Sequence, residues 1–339
     1  MGRKKKIKPN ENLKAPKYDK VSEGYNPLLI EKVVQPVTVT EVKLELTKEQ
    51  KEKREKLNKI VNEWNRENKD SMIIFAKDEP DKDRLPFGHK KLDEFTGNGG
   101  IAGNFMIIWG GESVGKSTLC LMQVAEAQKR GKICAYLDLE HSFNKERALL
   151  FNVNLNELLL IENCDNAEEA MNIVIKLSKE KVVDLIIVDS IQAMTPKAEN
   201  EAKSGKERKM EEDEIALLAK KMGKFLRRTA TPIYKAKIAV TLIGQSRTGG
   251  IGGFATFEEL TGGRAQKHWS LLTLFMRTGQ SSNAPTEKID TGEVDENDKP
   301  IKLNIKTGFE CVLKIGKTKT TSKPQESELR IPFLFKTGF

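Results

Sequence analysis

The sequence predicts an α/β protein wound around a mostly parallel central sheet, with an antiparallel extension towards the C-terminus and a helix and strand ahead of the core. Three observations carry this. In MIIWGGESVGKSTLCLMQ (106–123) a glycine loop stands between an apolar run and a helical stretch. Apolar runs at 105–109, 133–139, 158–161, 184–189 and 237–243 alternate with helical patterns at 117–130, 144–151, 166–179 and 211–230. Past residue 270 the helices stop, and LLTLFMR, IKLNIKT, FECVLKI and LRIPFLF follow as strand-like runs around a turn-rich stretch at 279–299.

The chain begins with a basic segment. Within the first 20 residues Arg3, Lys4, Lys5, Lys6, Lys8, Lys14, Lys17 and Lys20 face only Glu11 and Asp19, with prolines at 9 and 16, so residues 1–46 are expected to be a disordered arm. Together with a net charge of +9 this composition suits a polyanionic partner, although a solvated tail explains it equally well. The longest apolar runs reach only strand length and none follows the basic start, so neither a spanning helix nor a secretory signal is expected, and the predicted residence is cytoplasmic. Next comes TKEQKEKREKLNKIVNEWNRENKD (47–70), opened by Thr47 and Gln50 at capping-box spacing, with Leu57, Ile60, Val61 and Trp64 on one stripe. Met72–Phe75 reads as a short strand and 77–86 as a polar linker, leaving 87–339 as the core. A lone amphipathic helix needs a partner surface, either on its own domain or on a neighbouring subunit.

The core opens with chemistry. Gly110, Gly115, Lys116 and Ser117 occupy the fixed positions of a phosphate-binding loop, with Gly111, Glu112, Ser113 and Val114 between them and Thr118 following. Glycines let backbone N–H groups curl around phosphates, the following helix adds its positive end, Lys116 reaches the β- and γ-phosphates, and the Ser117 hydroxyl is suited to Mg2+. ATP and Mg2+ are the expected ligands. Three more candidates end predicted strands, where open α/β sheets place ligands. Asp189 in LIIVDS suits Mg2+ held through water, Asp138 or Glu140 in LDLEH suits activation of the attacking water, and Gln245 in LIGQSR suits detection of the γ-phosphate. The cysteines at 120, 134, 164 and 311 lack metal-ligand or C-x-x-C spacing, so reduced and mostly buried thiols are expected, with no metal beyond nucleotide-bound Mg2+.

Gln245 leads into SRTGGIGGFATFEELTGG (246–263), which carries six glycines beside Arg247, Ile251, Phe254 and Phe257. Such a stretch is expected to be a flexible loop that orders on a ligand, with backbone amides free for phosphates and apolar side chains for bases. A catalytic lid is the alternative. A second polar loop at 195–214 carries four lysines and one arginine beside its acids.

In this order and at nearly these separations, GGESVGKST, LDLEH, LIIVDSIQAMTPKAE, IGQSR, TGGRAQKHW and KIGKTKT resemble the bacterial RecA recombinases and their phage relatives, from about Lys53 onwards. The resemblance implies a RecA-like P-loop ATPase core and a helix-strand arm (47–76) that packs on the adjacent subunit of a filament. It also implies DNA loops at 195–214 and 246–263, the second with Arg247, Gly249, Gly250, Ile251, Gly252, Gly253, Phe254, Gly262 and Gly263, and DNA contact by Arg264 just after it. Glu140 becomes the residue that activates water and Gln245 the γ-phosphate sensor. Lys317, Lys319 and Lys267 are placed at the ATP of the next subunit. The implied partners are single-stranded DNA, then duplex DNA during pairing, and further copies of the chain; the implied activity is a DNA-dependent ATPase that promotes strand exchange. Three departures stand out: Arg147 occupies the place of the aromatic that stacks on adenine, Asn144 replaces an acid near the base, and His268 replaces an aromatic that couples subunits. The chain stops soon after LRIPFLF, which leaves no room for the family's C-terminal domain and suggests a phage or mobile-element form. The rival classes are a hexameric DNA motor of the same superfamily and a non-hydrolysing mediator; Lys116, Ser117, Asp189 and Glu140 together disfavour the second.

Overall fold

The computed structural model describes residues 46–69, 72–197, 217–251, 254–261, 263, 265–294, 300–319 and 328–339. Two compact units divide the chain, Met1–Glu79 and Pro80–Phe339.

In the first unit α1 (Lys48–Glu67) starts at the predicted capping box, with Gln50 N donating to Thr47 Oγ1 at 3.3 Å and Thr47 N to Gln50 Oε1 at 3.0 Å. Leu57, Ile60 and Trp64 of the stripe are exposed. Met72–Phe75 is not the predicted strand. It is extended without a ladder partner among the described residues, and the Asn65 side chain takes the place of one, bonding Ile73 O at 2.8 Å and Ile73 N at 2.7 Å. A strand needs a neighbouring strand to satisfy its backbone, and one asparagine serves one residue only.

The second unit contains β1 (Arg84–Leu85), α2 (Lys90–Thr96), β2 (Gly100–Ile101), β3 (Phe105–Gly110), α3 (Lys116–Lys129), β4 (Cys134–Asp138) and α4 (Lys145–Leu150). These are followed by β5 (Leu158–Ile161), α5 (Ala167–Glu180), β6 (Leu185–Asp189), α6 (Leu217–Ala236), β7 (Ala239–Ile251) and β8 (Phe254–Leu260). The chain continues through α7 (Ala265–Trp269), β9 (Ser270–Thr278), β10 (Thr286–Val294), β11 (Pro300–Lys306), β12 (Gly308–Thr318) and β13 (Leu329–Leu334). The main sheet runs β13-β12-β9-β3-β7-β6-β4-β5, with β8 paired to β7 off this path. Strands β9, β3, β7, β6, β4 and β5 run parallel to one another. The central strands β3, β4 and β6, buried on both faces, read as unbroken apolar runs such as LIIVD.

Side chains of β3 alternate between two cores. Met106 and Ile108 meet α3 through Leu119 and Val124, while Ile107 and Trp109 share the opposite face with Met171, Val174, Met222 and Phe225 of α5 and α6. This places α3 on one side of the sheet and α5 with α6 on the other.

Five further expectations change. Residues 84–85 of the predicted linker belong to the core, because β1 pairs antiparallel with β2 and Leu85 is buried. LLTLFMR does not start the antiparallel extension: β9 lies parallel to β3, and only β12 and β13 are antiparallel, because β8 and α7 carry the chain across β3 in place of a long crossover helix. IKLNIKT leaves the main sheet altogether, pairing as β11 with β10, which occupies part of the predicted turn-rich stretch. The glycine-rich segment after Gln245 is largely a β-ribbon, with Ser246 opposite Leu260 and Gly249 opposite Phe257, because ladder hydrogen bonds satisfy a backbone that glycine only makes permissive. The described part of the predicted 211–230 helix runs on to Ala236 past Pro232, anchored by the buried Ile233.

One polar tie sets α3 against the sheet. Gln123 is fully buried; its Nε2 donates to Leu85 O at 3.0 Å and its Oε1 accepts from Thr241 of β7 at 3.0 Å. Gln123→Leu would strand both partners without water, so unfolding stability in urea should fall by about 1–3 kcal/mol per orphaned group.

Candidate active site

Strand register builds the site. Gly110 at the end of β3 lies beside Gln245 of β7, and Asp138 at the end of β4 lies beside Asp189 of β6. Four positions read separately from the sequence therefore stand along one edge of the sheet. They border a cleft of about 620 Å³ lined by Glu112, Ser113, Gly115, Lys116, Ser117, Thr118, Glu140, Arg147, Asp189 and Gln245.

The glycine loop is shaped by steric demand. A Cβ on Gly110 would stand 1.9 Å from Met276 O, and one on Gly115, at φ +92°, 2.7 Å from the Phe333 ring. Gly115 is also the N-cap of α3 and brings no side-chain cap, so the first N–H groups of that helix remain for a ligand. Lys116 is nearly buried, and its Nζ donates to Gly111 O and, at 3.3 Å, to Gly110 O. Burial pushes its ammonium pKa down, opposed by Asp189 and Glu140.

The acids differ in their surroundings. Asp189 accepts from the Tyr136 hydroxyl at 2.6 Å and from Ser117; burial raises its pKa against those donors. Glu140 accepts from the Ser190 hydroxyl and, at 3.4 Å, from Gln245 Nε2. Asp138 is fully buried, accepts Phe143 N at 2.7 Å through Oδ2, and leaves Oδ1 without a hydrogen-bond partner. An uncapped helix start with a lysine suits a triphosphate. Asp189, bonded to the Ser117 hydroxyl, with Glu140 in the same cleft, offers hard oxygens that a small divalent cation would balance. ATP with Mg2+ fits these residues.

At the outer end of the cleft Asn144 caps α4, accepting Arg147 N at 2.8 Å. Arg147 Nε donates to Thr118 Oγ1 at 2.9 Å, and its guanidinium lies 5.6 Å from the Phe151 ring and 5.7 Å from the Phe333 ring. Phe309, Phe333 and Phe335 line this end as well, and Phe309 stacks on Phe333 at 4.7 Å. Sequence reasoning missed these phenylalanines along with Tyr136 and Ser190. The alternation of Phe333 and Phe335 in LRIPFLF was the available signal, since positions two apart share a strand face.

Other predicted residues lie elsewhere. Lys267 and Lys317 border a separate groove of about 690 Å³ with Glu259, His268 and Trp269. Lys317 Nζ donates to Lys267 O at 2.6 Å and His268 O at 2.8 Å, and the Lys267 ammonium sits 4.6 Å from the Trp109 ring centroid. Burial lowers the Lys317 pKa, helped by Lys319. Lys319 follows β12, its N–H bonded to Leu271 O at 3.0 Å. Of the expected DNA-contacting positions, Arg247, Gly249, Gly250 and Ile251 belong to β7 and Phe254 opens β8. Gly263 has φ +88° between β8 and α7. Gly252, Gly253, Gly262, Arg264 and most of the 195–214 loop lie outside the described residues.

A family model described as the RecA N-terminal domain matches residues 54–315. Protein RecA of Campylobacter lari is 34% identical over 253 residues, covering 74% of this chain and 66% of the relative. Protein RecA of Mesoplasma florum is 37% identical over 215 residues, 63% of this chain and 62% of the relative. Protein RecA of Marinobacter nauticus is 34% identical over 247 residues, 73% of this chain and 64% of the relative. The chain thus spans just under two thirds of the length of these relatives. Since the matched residues include the phosphate loop, both acid-bearing strand ends and the strands that align them, the chain belongs to the RecA family.

Proposed function

We propose that this chain is a DNA-dependent ATPase that forms filaments on single-stranded DNA in the cytoplasm and promotes its pairing with duplex DNA. One observation carries the proposal: Gln245 touches Glu140 in the cleft and is also the residue from which β7 continues into the β7–β8 ribbon. A side chain that senses the γ-phosphate would thereby move the backbone that holds DNA.

Ser117 and Asp189 would hold Mg2+, which supplies positive charge beside the β- and γ-phosphates. Lys116 would exchange its two carbonyl partners for phosphate oxygens, and the Glu140 carboxylate would take the proton of the attacking water once Ser190 and Gln245 have oriented it. In the filament, Lys317, Lys319 and Lys267 would reach the triphosphate of the adjacent subunit and neutralise charge only when subunits stack. The exposed stripe of α1, with Met72–Phe75, would supply the polymerisation contact.

Electron microscopy with ATP and single-stranded DNA is expected to reveal continuous helical filaments; closed rings would instead indicate a hexameric motor. Lys116→Ala should abolish ATP turnover, whereas Glu140→Gln should still bind ATP yet hydrolyse it about 10²–10⁴ times more slowly. Normal steady-state ATPase in Glu140→Gln would remove the base role from this residue.

Lys317→Ala should bind nucleotide as a monomer but lose most ATPase stimulated by single-stranded DNA, with partial recovery on mixing with Lys116→Ala protein. Undiminished stimulation would confine Lys317 to its ties with the Lys267 and His268 carbonyls. Deleting residues 1–76 should give a folded monomer that binds nucleotide without polymerising; light scattering that detects long polymers would refute the arm's role.

A further inference from the structure

We infer that Tyr136 is a positioning residue for Asp189: its hydroxyl fixes the carboxylate in the orientation that receives Mg2+ and so sets how tightly the cation is kept, an inference that rests on the nucleotide reading above. The contact comes from packing between adjacent strands. Tyr136 of β4 stands opposite Ile187 of β6, and its side chain extends along the strand direction to reach Asp189, two residues further on. Both side chains are 2% exposed, so water does not compete for the 2.6 Å hydrogen bond between Tyr136 OH and Asp189 Oδ2. A hydroxyl donating to a carboxylate at this length is a charge-assisted bond, about twice as strong as a neutral one.

Two side-chain donors serve Asp189, Tyr136 and Ser117. Ser117 is itself suited to the cation, and when its oxygen turns that way Tyr136 remains to hold the carboxylate. Tyr136 cannot swing aside, because the Phe143 ring lies edge-on to it at 5.4 Å and Phe143 N is tied to Asp138 Oδ2 at 2.7 Å. Phenylalanine would fill nearly the same volume. The hydroxyl is therefore the part of this side chain that acts on the site, as outer-shell partners do when they orient a metal ligand.

The test uses the 339-residue chain, a fluorescent N-methylanthraniloyl-ADP probe and a Mg2+ titration. Tyr136→Phe should stay folded and bind the probe in EDTA as the parent does, melt at a lower temperature without nucleotide because a buried charge-assisted hydrogen bond is lost, and need about tenfold more Mg2+ or higher to reach half-maximal binding enhancement. A Mg2+ midpoint within about twofold of the parent would overturn the inference, since outer-shell losses are larger than that. Phe143→Leu keeps the hydroxyl and loosens its brace, so its midpoint should rise less; an equal or larger rise would assign the effect to packing and also overturn it. If the parent chain binds the probe without regard to Mg2+, the nucleotide reading of the cleft falls, and this inference with it.

Discussion

Backbone hydrogen bonding between the parallel strands β3, β7, β6 and β4 sets the depth at which every side chain of the cleft stands. Parallel ladders are evenly spaced, so pairing Phe105 with Val240 carries Gly110 to Gln245 five residues later, and pairing Cys134 with Leu185 carries Asp138 to Asp189. A slip of one residue would send each of these side chains to the opposite face. The apolar faces prevent the slip, because Ile107, Leu137, Val188 and Leu242 would all leave one core for the other. Hydrophobic burial, which has no chemistry of its own, thus determines where the acids and the lysine meet.

On the other side of the cleft the constraint is aromatic. Phe333 stacks on Phe309, meets Phe339 edge-on at 4.9 Å, and lies against both Gly115 and the Arg147 guanidinium. The last strand of the sheet therefore buttresses the glycine loop, and any enlargement at Gly115 is felt at β13. Arg147 is held by rings and by Thr118 before a nucleotide arrives, so a planar cation with a fixed position faces the outer part of the cleft.

Elements whose signals are local were legible. The capping box of α1, the glycine loop and the strand-ending acids each lie within a few residues, and the parallel strands announced themselves as unbroken apolar runs. What stayed hidden depends on partners distant in sequence. Tyr136 and Asp189 are 53 residues apart, and no spacing rule joins them. Arg147 and Phe333 are farther apart still. The direction of β9 was misjudged because the usual sign of a parallel crossover is a long helix, and here β8 with the short α7 performs it. Ribbon β7–β8 looked like a loop because glycine marks freedom in the unfolded chain and cannot reveal the ladder that removes it. Asn65 deceived in the opposite sense, since one side chain satisfied the backbone that an apolar run seemed to promise to a strand.

Lys317 shows what such ties do before any partner is present. An ammonium has three N–H bonds, and two of them already point at the carbonyls of Lys267 and His268. A free lysine gives up about 2 kcal/mol of rotamer entropy when it is immobilised. Folding has already exacted most of that loss here. An anion that reaches this groove therefore meets a stationary charge with one N–H left to give, and association need not wait for a flexible arm to find it.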